Sequence, residues 1–462
     1  MKPNDPPRPP TLLAIAWPIF IEQTLRILIG TVDTFMVSHV SDGAVAALGV
    51  ANQFVVLALI CFNFIGIGAS VVITHHVGAG DRKGAEKIVT TAIAVNTWIG
   101  LAASLVAFTA AGPLLRLMQL PEDLMLYARP FLTLMGGTLF MEAMNTAIGA
   151  SLRAHGHTRD AMVVTVIQNL INVAASSVLL FGLFGAPKMG VLGVALGSVF
   201  SRVVASVILW ILLDRRLHLM LRARDFFVLR VDRIKRILHI GLPAAGEHMS
   251  YWVSLMVITS FAARLGGESL ATMTYTQNVQ RLVILFSIAL GLGTEILIGR
   301  LIGAGEFEEA YRQVVRSVRT GLIVATSGIV LVALAAPQLI GLFSHDPVIV
   351  AGGVFLLRLS VIYEPGRVFN IVIINALRAT GDARFPIKIA VCSEWLLSVP
   401  LCWLLGLKLH WGLTGIWIAM LSEEWLRGLI MAWRWKKRRW LKYAHRSRAQ
   451  AAPEIIPVAE EW

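Results

Sequence analysis

The sequence predicts an all-α integral membrane protein made of two homologous halves. Of its residues, 56% are hydrophobic and only 15% are charged, and the mean hydropathy is +0.71. This composition is typical of membrane proteins and differs from that of a soluble enzyme of similar length. Several apolar stretches exceed the roughly 20 residues that a helix needs to cross a bilayer. Because lipid admits only helices or closed barrels and no strand-like alternation is present, the spans are predicted to be helices.

Twelve stretches are long and apolar enough to be membrane spans. They lie at residues 11–36, 44–73, 88–112, 123–149, 161–183, 191–213, 239–262, 269–298, 320–343, 348–375, 386–406 and 412–433. Six spans fall in each half of the chain. Because six is an even number, both halves enter the membrane in the same direction, and we predict a parallel repeat.

A constant step of 225 residues, from Pro18 to Pro243, relates most of the first half to the second. Glu22 reappears as Glu247 at this step. The other matched pairs are Gly66 and Gly291, Gly68 and Gly293, Gly78-Ala79-Gly80 and Gly303-Ala304-Gly305, Leu152-Arg153-Ala154 and Leu377-Arg378-Ala379, and Arg159 and Arg384. An internal repeat in a membrane protein indicates a transporter whose substrate path lies where the halves meet.

The formal net charge of +13 is distributed over alternate loops. The basic residues cluster at 82–87, 153–159, 215–236, 300–312, 378–384 and 436–442. The intervening loops carry little positive charge, a pattern that places both termini in the cytoplasm. Because the basic residues flank spans and do not form one contiguous surface, the charge does not indicate nucleic-acid binding.

These boundaries predict five regions. They are a disordered cytoplasmic tail at 1–10, an N-terminal six-helix lobe at 11–213, a cytoplasmic linker at 214–238, a C-terminal six-helix lobe at 239–433 and a basic cytoplasmic tail at 434–462. We expect the linker to lie on the cytoplasmic surface with its apolar residues dipping into the lipid headgroups. Cys61, Cys392 and Cys402 all lie in spans, so neither a disulfide framework nor a cysteine metal site is expected.

Four sets of residues carry a resemblance to a known family. They are Pro18 followed by Val32-Asp33-Thr34-x-Met36-Val37, then Ala46-Ala47-Leu48-Gly49, the Gly-Ala-Gly turns at 78–80 and 303–305, and the Leu-Arg-Ala-x-Gly turns at 152–156 and 377–381. In this order, and over residues 11 to 435, the chain resembles the multidrug and toxic compound extrusion (MATE) family. The resemblance implies two six-helix lobes around a V-shaped cleft. It also implies export of substrates, often organic cations, driven by inward movement of Na⁺ or H⁺.

Asp33, toward the outer end of the first span, is the first candidate for cation coupling. An ionisable side chain inside a span costs about 2.5–3.5 kcal/mol on insertion scales, so each one requires a reason. Its carboxylate can hold a proton or Na⁺, or pair with a cationic substrate. The resemblance implies a role for Asp33 in cation coupling. The alternative is a structural hydrogen bond to a neighbouring helix.

Asn172 and Ser176, four residues apart in the fifth span, share one helix face and are further coupling candidates. Relatives usually carry asparagine at the position of Asn172, and often asparagine or aspartate at that of Ser176. With serine in place of asparagine or aspartate, Ser176 lacks the stronger oxygen ligand that those side chains would supply. Hard cations bind several oxygen atoms, so Asp33 and Asn172 alone would bind Na⁺ poorly. We predict no metal site beyond a Na⁺ at Asp33. The structural alternative for Asn172 is an interhelical hydrogen bond.

Six other polar residues in spans are candidates for substrate binding or proton relay: Asn52, Gln168, Glu247, Glu295, Glu364 and Glu394. Glu394 and Glu295 occupy the positions that Asn169 and Ser70 hold in the first half. The second half has therefore become more acidic, which favours a negatively lined lobe that attracts a cation or relays protons. The alternative is a network of glutamate–arginine pairs that locks this lobe.

The functional prediction is an antiporter of the bacterial cytoplasmic (inner) membrane that exports amphipathic, cationic compounds in exchange for H⁺ or Na⁺ by alternating access. Pro18 and Pro243 are the predicted hinges. We expect a monomer in the bilayer with a small organic substrate, no nucleic-acid partner and no cofactor beyond the coupling ion. An enzyme is not predicted, since the spans lack a paired-aspartate metal motif. A flippase for lipid-linked oligosaccharides is the alternative, but it would require several cavity arginines.

Overall fold

The computed structural model describes residues 11–452, and this part of the chain contains helices and loops without strands. The predicted disordered tail at 1–10 and residues 453–462 lie outside the described residues. The helices of the first half are α1 Leu12–Ser38, α2 Asp42–Gly78, α3 Arg82–Thr109, α4 Ala111–Leu117, α5 Glu122–Gly137, α6 Leu139–Ala154, α7 Thr158–Phe181 and α8 Val191–Leu217. A 3₁₀ turn, Leu183–Gly185, follows α7, and another, Ala223–Phe226, follows α8.

The second half contains α9 Val231–Arg264, α10 Gly267–Ala304, α11 Phe307–Leu334, α12 Ala336–Gly341, α13 Pro347–Ala379, α14 Arg384–Ser393, α15 Val399–Cys402, α16 Gly412–Lys436 and α17 Leu441–Ala451. Two π-helical segments, Glu394–Ser398 and Trp403–Lys408, flank α15 and join it to α14 in one span. Such wide turns occur often at functional sites. The sequence predicts this span but not its π-helical turns.

Nine helical stretches among the described residues are long and apolar enough to cross a membrane, and the pair α5–α6, bent by 45° at Thr138, makes a tenth. The two remaining predicted spans, 239–262 and 412–433, coincide with α9 and α16. Polar and charged side chains lower the mean hydropathy of these two spans, among them Glu247 and His248 in α9 and Glu423, Glu424 and Arg427 in α16. The predicted all-α membrane fold is confirmed, while the bend inside the fourth span is a feature that the sequence analysis missed.

The chain forms two compact units, and three of the four boundaries between them fall inside helices. We call the first the N-terminal unit, Ile21–Ile73 and Arg82–Leu242, and the second the C-terminal unit, which in the described chain comprises 11–20, 74–81 and 243–452. Helix α1 therefore passes from one unit to the other after Phe20, and α9 does so after Leu242. These two crossings lie within two residues of a proline, Pro18 or Pro243, whereas α2, which changes unit after Ile73, contains no proline.

The C-terminal unit includes the beginning of α1 in one of its hydrophobic cores. Ile15 and Ile19 pack with Leu290 of α10 and Val368 of α13, and all four side chains are buried. The close packing of these large aliphatic side chains holds the first turns of α1 to the second half, because van der Waals contact drives helix association in a bilayer. The contact-based boundary after Phe20 thus has a physical basis.

Close contact between α7 and α8 orders the N-terminal unit around Asp33. A Cβ atom added to Gly193 would lie 2.7 Å from the Leu179 carbonyl oxygen, and one added to Gly197 would lie 2.6 Å from the Ser176 nitrogen. The two backbones approach this closely because both positions are glycine. Their packing sets Asn172 of α7 within hydrogen-bonding distance of Ser198 of α8.

The linker after α8 packs against α3 of the same unit. The Trp98 Nε1 donates a hydrogen bond to the Phe226 carbonyl oxygen at 2.7 Å, and the Trp98 ring meets Phe227 edge-on at 5.5 Å between centroids. Met220 and Phe227 remain exposed. The predicted insertion of apolar linker residues into the headgroups remains a prediction.

Substituting alanine for Gly197 is expected to force α7 and α8 apart. We expect Gly197→Ala to lower the free energy of unfolding by about 1–3 kcal/mol relative to Gly49→Ala, because overpacking strains a close contact. Gly49 is the control, since a Cβ there meets no atom within 4 Å. Both variants replace a helical glycine by alanine, so the gain in helix propensity is the same in each. The difference between their thermal unfolding temperatures in detergent therefore reports the steric clash of the Cβ added at position 197 with α7. Equal melting temperatures would contradict the prediction.

Candidate cation-coupling site and buried charge clusters

Asp33 lies at one end of a hydrogen-bonded chain that joins three helices. The Asn172 Nδ2 donates to the Ser198 Oγ at 2.8 Å, and the Ser198 hydroxyl donates to the Asp33 Oδ2 at 3.2 Å. The three side chains come from α7, α8 and α1, and each is at most 9% exposed. The structure therefore brings two of the predicted coupling residues, Asp33 and Asn172, to one site.

The Asp33 site leaves two oxygen atoms without hydrogen-bond partners. The Asp33 Oδ1 and the Asn172 Oδ1 are buried and accept no hydrogen bond. Arg202 acts electrostatically on Asp33, but its guanidinium is paired with Glu142, with the Arg202 Nε 3.1 Å from the Glu142 Oε2. No side-chain nitrogen of the described residues forms an ion pair with Asp33. A buried carboxylate with so little compensation can acquire a proton or bind a small cation.

The other predicted residues of this half lie apart from the hydrogen-bonded chain. The Ser176 hydroxyl is fully buried and donates to the Val194 carbonyl oxygen at 3.4 Å, so in this structure it serves the α7–α8 contact. Asn52 is exposed on α2 and Gln168 is partly exposed on α7. Their functional roles remain predictions. Ser198 was missed, because a single serine in an apolar span resembles the small residues that line many helix contacts.

A second set of charges, the N-terminal cluster, consists of the buried Glu22, Glu142 and Arg202, the partly buried Arg153 and the exposed Arg26. Glu22 Oε1 lies 2.7 Å from the Arg153 Nη1 and 3.2 Å from the Arg26 Nη2. Glu142 lies 3.1 Å from Arg202 and 3.7 Å from Arg26. Three guanidiniums thus form ion pairs with two carboxylates. The i, i+4 spacing of Glu22 and Arg26 is visible in the sequence, whereas the partners on α6 and α8 are not.

Arg202 also stabilises the bend between α5 and α6. Its Nη1 donates to the Thr138 Oγ1 at 2.7 Å and to the Met135 carbonyl oxygen at 3.1 Å. A break in a membrane helix frees backbone groups that must find partners inside the protein. The same arginine therefore satisfies the broken helix and the Glu142 carboxylate.

The ion pair between Glu22 and Arg153 is repeated in the second half. The Arg378 Nη2 lies 3.1 Å from the Glu247 Oε2, and its Nη1 lies 3.7 Å from the Glu295 Oε2. Both Glu247 and Arg378 follow their first-half counterparts by the 225-residue step, from 22 to 247 and from 153 to 378. The pairing of α1 with α6 is thus duplicated as a pairing of α9 with α13.

The remaining predicted acids belong to what we call the C-terminal cluster. Its members are Glu364, Arg367, Glu394, Glu423, Glu424 and Arg427, each at most 5% exposed. The Glu364 Oε1 lies 2.7 Å from the Arg367 Nη1, and the Glu394 Oε1 lies 3.1 Å from the Arg427 Nη1. All four acidic candidates of the second half, Glu247, Glu295, Glu364 and Glu394, therefore contact an arginine. Their proposed roles in substrate binding or proton relay remain predictions.

Comparison with known families identifies the fold. The model of the MatE family matches residues 18–178 and 243–404, so its two segments begin at Pro18 and Pro243, one repeat step apart. This chain belongs to the MATE family. It is a multi-pass membrane protein of a transporter family, as its repeat predicts.

Individual relatives cover nearly the whole MATE chain. It is 40% identical to the uncharacterized transporter YisQ of Bacillus subtilis (strain 168), over 94% of this chain and 95% of that protein. It is 26% identical to the probable multidrug resistance protein NorM of Thermotoga maritima, over 92% and 93% of the two chains. Among solved structures, a crystal structure of MATE in the bent conformation matches with a TM-score of 0.85 at 19% identity, covering 96% of each chain. This likeness confirms the fold.

The duplicated ion pair allows a matched test of buried charge. We expect Arg378→Met to lower the free energy of unfolding by about 3–5 kcal/mol, the usual effect of leaving a buried charge without its partner. Arg153→Met should have a smaller effect, because Glu22 keeps Arg26 at 3.2 Å, while Arg378 is the only arginine paired with Glu247 or Glu295 in residues 11–452. Thermal unfolding in detergent measures both.

A second substitution tests whether charge is the cause. Adding Glu247→Gln to Arg378→Met should recover part of the lost stability, because an amide needs no counter-charge. Equal losses for Arg378→Met and Arg153→Met, or no recovery in the double variant, would contradict this account.

Proposed function

We propose that this MATE transporter is a secondary antiporter that exports amphipathic, cationic organic compounds in exchange for H⁺ or Na⁺. The observation that carries the proposal is Asp33, a buried carboxylate without an ion pair in the described chain and with one unpartnered oxygen. Such a group can exchange a cation with the solvent. The relative NorM of Thermotoga maritima is named a probable multidrug resistance protein, which supports drug-like substrates here.

The hydrogen bonds around Asp33 suggest how a proton would be held. While Asp33 is ionised, the Ser198 hydroxyl donates to it and accepts from the Asn172 Nδ2. A protonated Asp33 would gain an O–H donor, and the unpartnered Asn172 Oδ1 is an acceptor of the same hydrogen-bonded chain. Protonation would thereby remove a buried charge and satisfy an unpaired acceptor together.

Of the two ions, the site favours H⁺. Na⁺ requires several oxygen ligands, and the hydroxyl of Ser176 is occupied at the Val194 carbonyl oxygen. Asp33, Asn172 and Ser198 then supply few ligands, whereas a proton requires only one carboxylate oxygen. Coupling requires that ion and substrate bind different states with different affinities, and they do not need to share an atom.

The charge of the buried clusters supports a cationic substrate. In the C-terminal unit six glutamates, at 247, 295, 364, 394, 423 and 424, contact only three arginines. In the N-terminal unit the three arginines of the cluster are engaged by Glu22 and Glu142. A lipid-linked pyrophosphate would require unpaired guanidiniums, so this distribution favours export of cations over a flippase.

The two prolines are proposed hinges for alternating access. Proline lacks the amide hydrogen that would bond to the preceding turn, so a helix bends more readily there. Pro18 and Pro243 lie beside the points where α1 and α9 pass between units. Asp33 is on the same helix as Pro18, so ion binding can bias the bend. We further propose an inner-membrane location with both termini cytoplasmic, on the basis of the loop charges.

Transport in proteoliposomes tests the antiport directly. Purified full-length protein in liposomes loaded with ethidium should release the dye when an imposed gradient drives H⁺ into the liposomes, and Asp33→Asn should abolish this release because its amide cannot bind a proton. Asp123→Asn, at an exposed position at the start of α5, is the control and should transport normally. A Na⁺ gradient provides the second arm.

The outcomes separate the parts of the proposal. Ethidium movement under neither gradient would overturn the antiport. Movement that survives Asp33→Asn would remove Asp33 from the coupling step. Movement driven by Na⁺ alone would identify Na⁺ as the coupling ion.

The hinge has its own test. We expect Pro18→Ala to slow gradient-driven ethidium transport by about tenfold, which corresponds to roughly 1.4 kcal/mol of activation free energy. Pro130→Ala is the matched control, since Pro130 also lies inside a helix but away from the unit boundaries. An unchanged rate and unchanged coupling in Pro18→Ala would refute the hinge.

A further inference from the structure

The two buried clusters differ in charge balance. The N-terminal cluster contains three guanidiniums and two carboxylates, so each carboxylate contacts two arginines. The C-terminal cluster contains four carboxylates and two guanidiniums. With every group ionised it would carry a net charge of −2, because four negative charges face two positive ones. Buried ionised groups are tolerated when each is paired with an opposite charge. Here two guanidiniums face four carboxylates, so half of the carboxylates have no guanidinium to themselves.

Three carboxylates converge on the single guanidinium of Arg427. Its Nη1 lies 3.1 Å from Glu394, its Nη2 lies 3.1 Å from Glu424, and its Nε lies 3.2 Å from Glu423. Arg367 is shared as well, at 2.7 Å from Glu364 and 3.5 Å from Glu424. Like charges this close in a low-dielectric site cannot all remain ionised without further compensation.

Two buried acceptors at the cluster have no hydrogen-bond donor. The Glu364 Oε2 and the Asn370 Oδ1 are buried and accept no hydrogen bond, and their residues are at most 1% exposed. The Asn370 Nδ2 donates to the Glu424 Oε2 at 2.8 Å, which fixes this amide at the cluster. A protonated carboxyl group supplies an O–H donor, which is what such acceptors lack.

In the part of the chain that the structure describes, no other cationic side chain is paired with the cluster. The titratable groups that act on the cluster from neighbouring positions are Glu247 and Tyr251 of α9, Tyr363 of α13 and the Cys402 thiol of α15. Glu247 is negative and is itself paired with Arg378. The phenols are neutral, and the Tyr363 ring lies 4.2 Å from the Arg367 guanidinium carbon. The neighbouring groups therefore do not neutralise the excess negative charge of the cluster.

We propose that the C-terminal cluster is a proton-binding site whose principal proton carrier is Glu423. Glu424 engages both arginines and Asn370, while Glu364 and Glu394 each have a guanidinium hydrogen bond. Glu423 faces the Arg427 Nε, which makes no hydrogen bond, and accepts only from the Ser393 hydroxyl at 2.6 Å. A bound proton converts its carboxylate to a neutral acid. A metal cation fits less well, because Arg427 already occupies the centre of the carboxylates and would repel it.

The site is joined to a helix that changes units. The Ser250 hydroxyl of α9 donates to the Glu394 Oε2, and the Trp395 Nε1 donates to the Ser250 Oγ at 3.1 Å. Glu394 also begins the first π-helical segment. A change of protonation in the cluster therefore alters the hydrogen bonds that hold α9. This deepens the proposed antiport, since it adds a second exchangeable proton, although proton binding itself does not depend on Asp33.

Infrared spectroscopy tests for the proton directly. Purified full-length protein carrying Asp33→Asn, at neutral pH, should show the carbonyl stretch of protonated carboxyl groups, shifted in D₂O. Adding Glu423→Gln should remove the part of this band that corresponds to one carboxyl group. Adding Glu142→Gln instead should leave the band unchanged, because Glu142 is also buried but contacts two arginines.

The other outcomes overturn the inference. If the Asp33→Asn protein shows no such band, the cluster binds no proton, whatever the folding state of the Glu423 variant. If Glu364→Gln or Glu394→Gln removes the band and Glu423→Gln does not, Glu423 is not the carrier. If added Na⁺ abolishes the band, the cluster is a Na⁺ site.

Ethidium transport in liposomes distinguishes this failure from failure of the antiport. If the infrared band is present while transport is absent under both gradients, the proposed antiport fails and the proton site stands. If H⁺-driven transport is present while the band is absent, the antiport stands and the proton site fails. With both correct, Glu423→Gln should lower the number of protons exchanged per ethidium, a change that a purely structural role would not produce.

Discussion

The cost of placing charge inside a membrane protein constrains most of this structure. An ionised side chain within a span requires a counter-charge, hydrogen-bond donors or a proton. Glu22 and Glu142 meet this requirement with guanidiniums to spare, and Arg202 also satisfies the backbone of a broken helix. Asp33 has a single serine hydroxyl donor at 3.2 Å. We therefore propose exchangeable cations for the positions where fixed protein groups do not meet this requirement.

Duplication preserved one charge pair and changed the rest. Glu22 and Arg153 recur as Glu247 and Arg378 in the same pairing, 2.7 Å apart in the first half and 3.1 Å in the second. At the same 225-residue step, Glu142 is replaced by Arg367, which reverses the charge at that position of the sixth and thirteenth helices. The shared ion pair joins the corresponding helices in each unit. The reversed charge at 367, by contrast, places an arginine beside the acids Glu364 and Glu424. The two halves therefore share a fold and differ in how many protons their buried groups would hold.

Much of the fold and part of the site could be predicted from the sequence, for physical reasons. Apolar length determines a span, and the repeat step exposes the duplication, so the helices and halves were predictable. Asp33 could be identified from the sequence because a carboxylate in a membrane span has a high free-energy cost. Ser198 could not, because a serine is ordinary there, and Glu142 pairs with arginines 116 residues before and 60 residues after it in the chain, at positions 26 and 202. The unit boundary after Phe20 could not be predicted either, since the apolar pattern continues through it.

Two of the helices that change units, α1 and α9, also carry or contact the groups that we propose to bind protons. Helix α1 contains Pro18 and Asp33, and α9 contains Pro243 and the serine, Ser250, that binds Glu394. A proton added at Asp33 or at the C-terminal cluster alters hydrogen bonds on a helix whose first turns belong to the other unit. Coupling between distant sites requires an element with two arrangements that both sites bias, and it does not require direct contact between them. We therefore propose α1 and α9, each with a proline at the crossing and a candidate proton site beyond it, as the two elements of this kind.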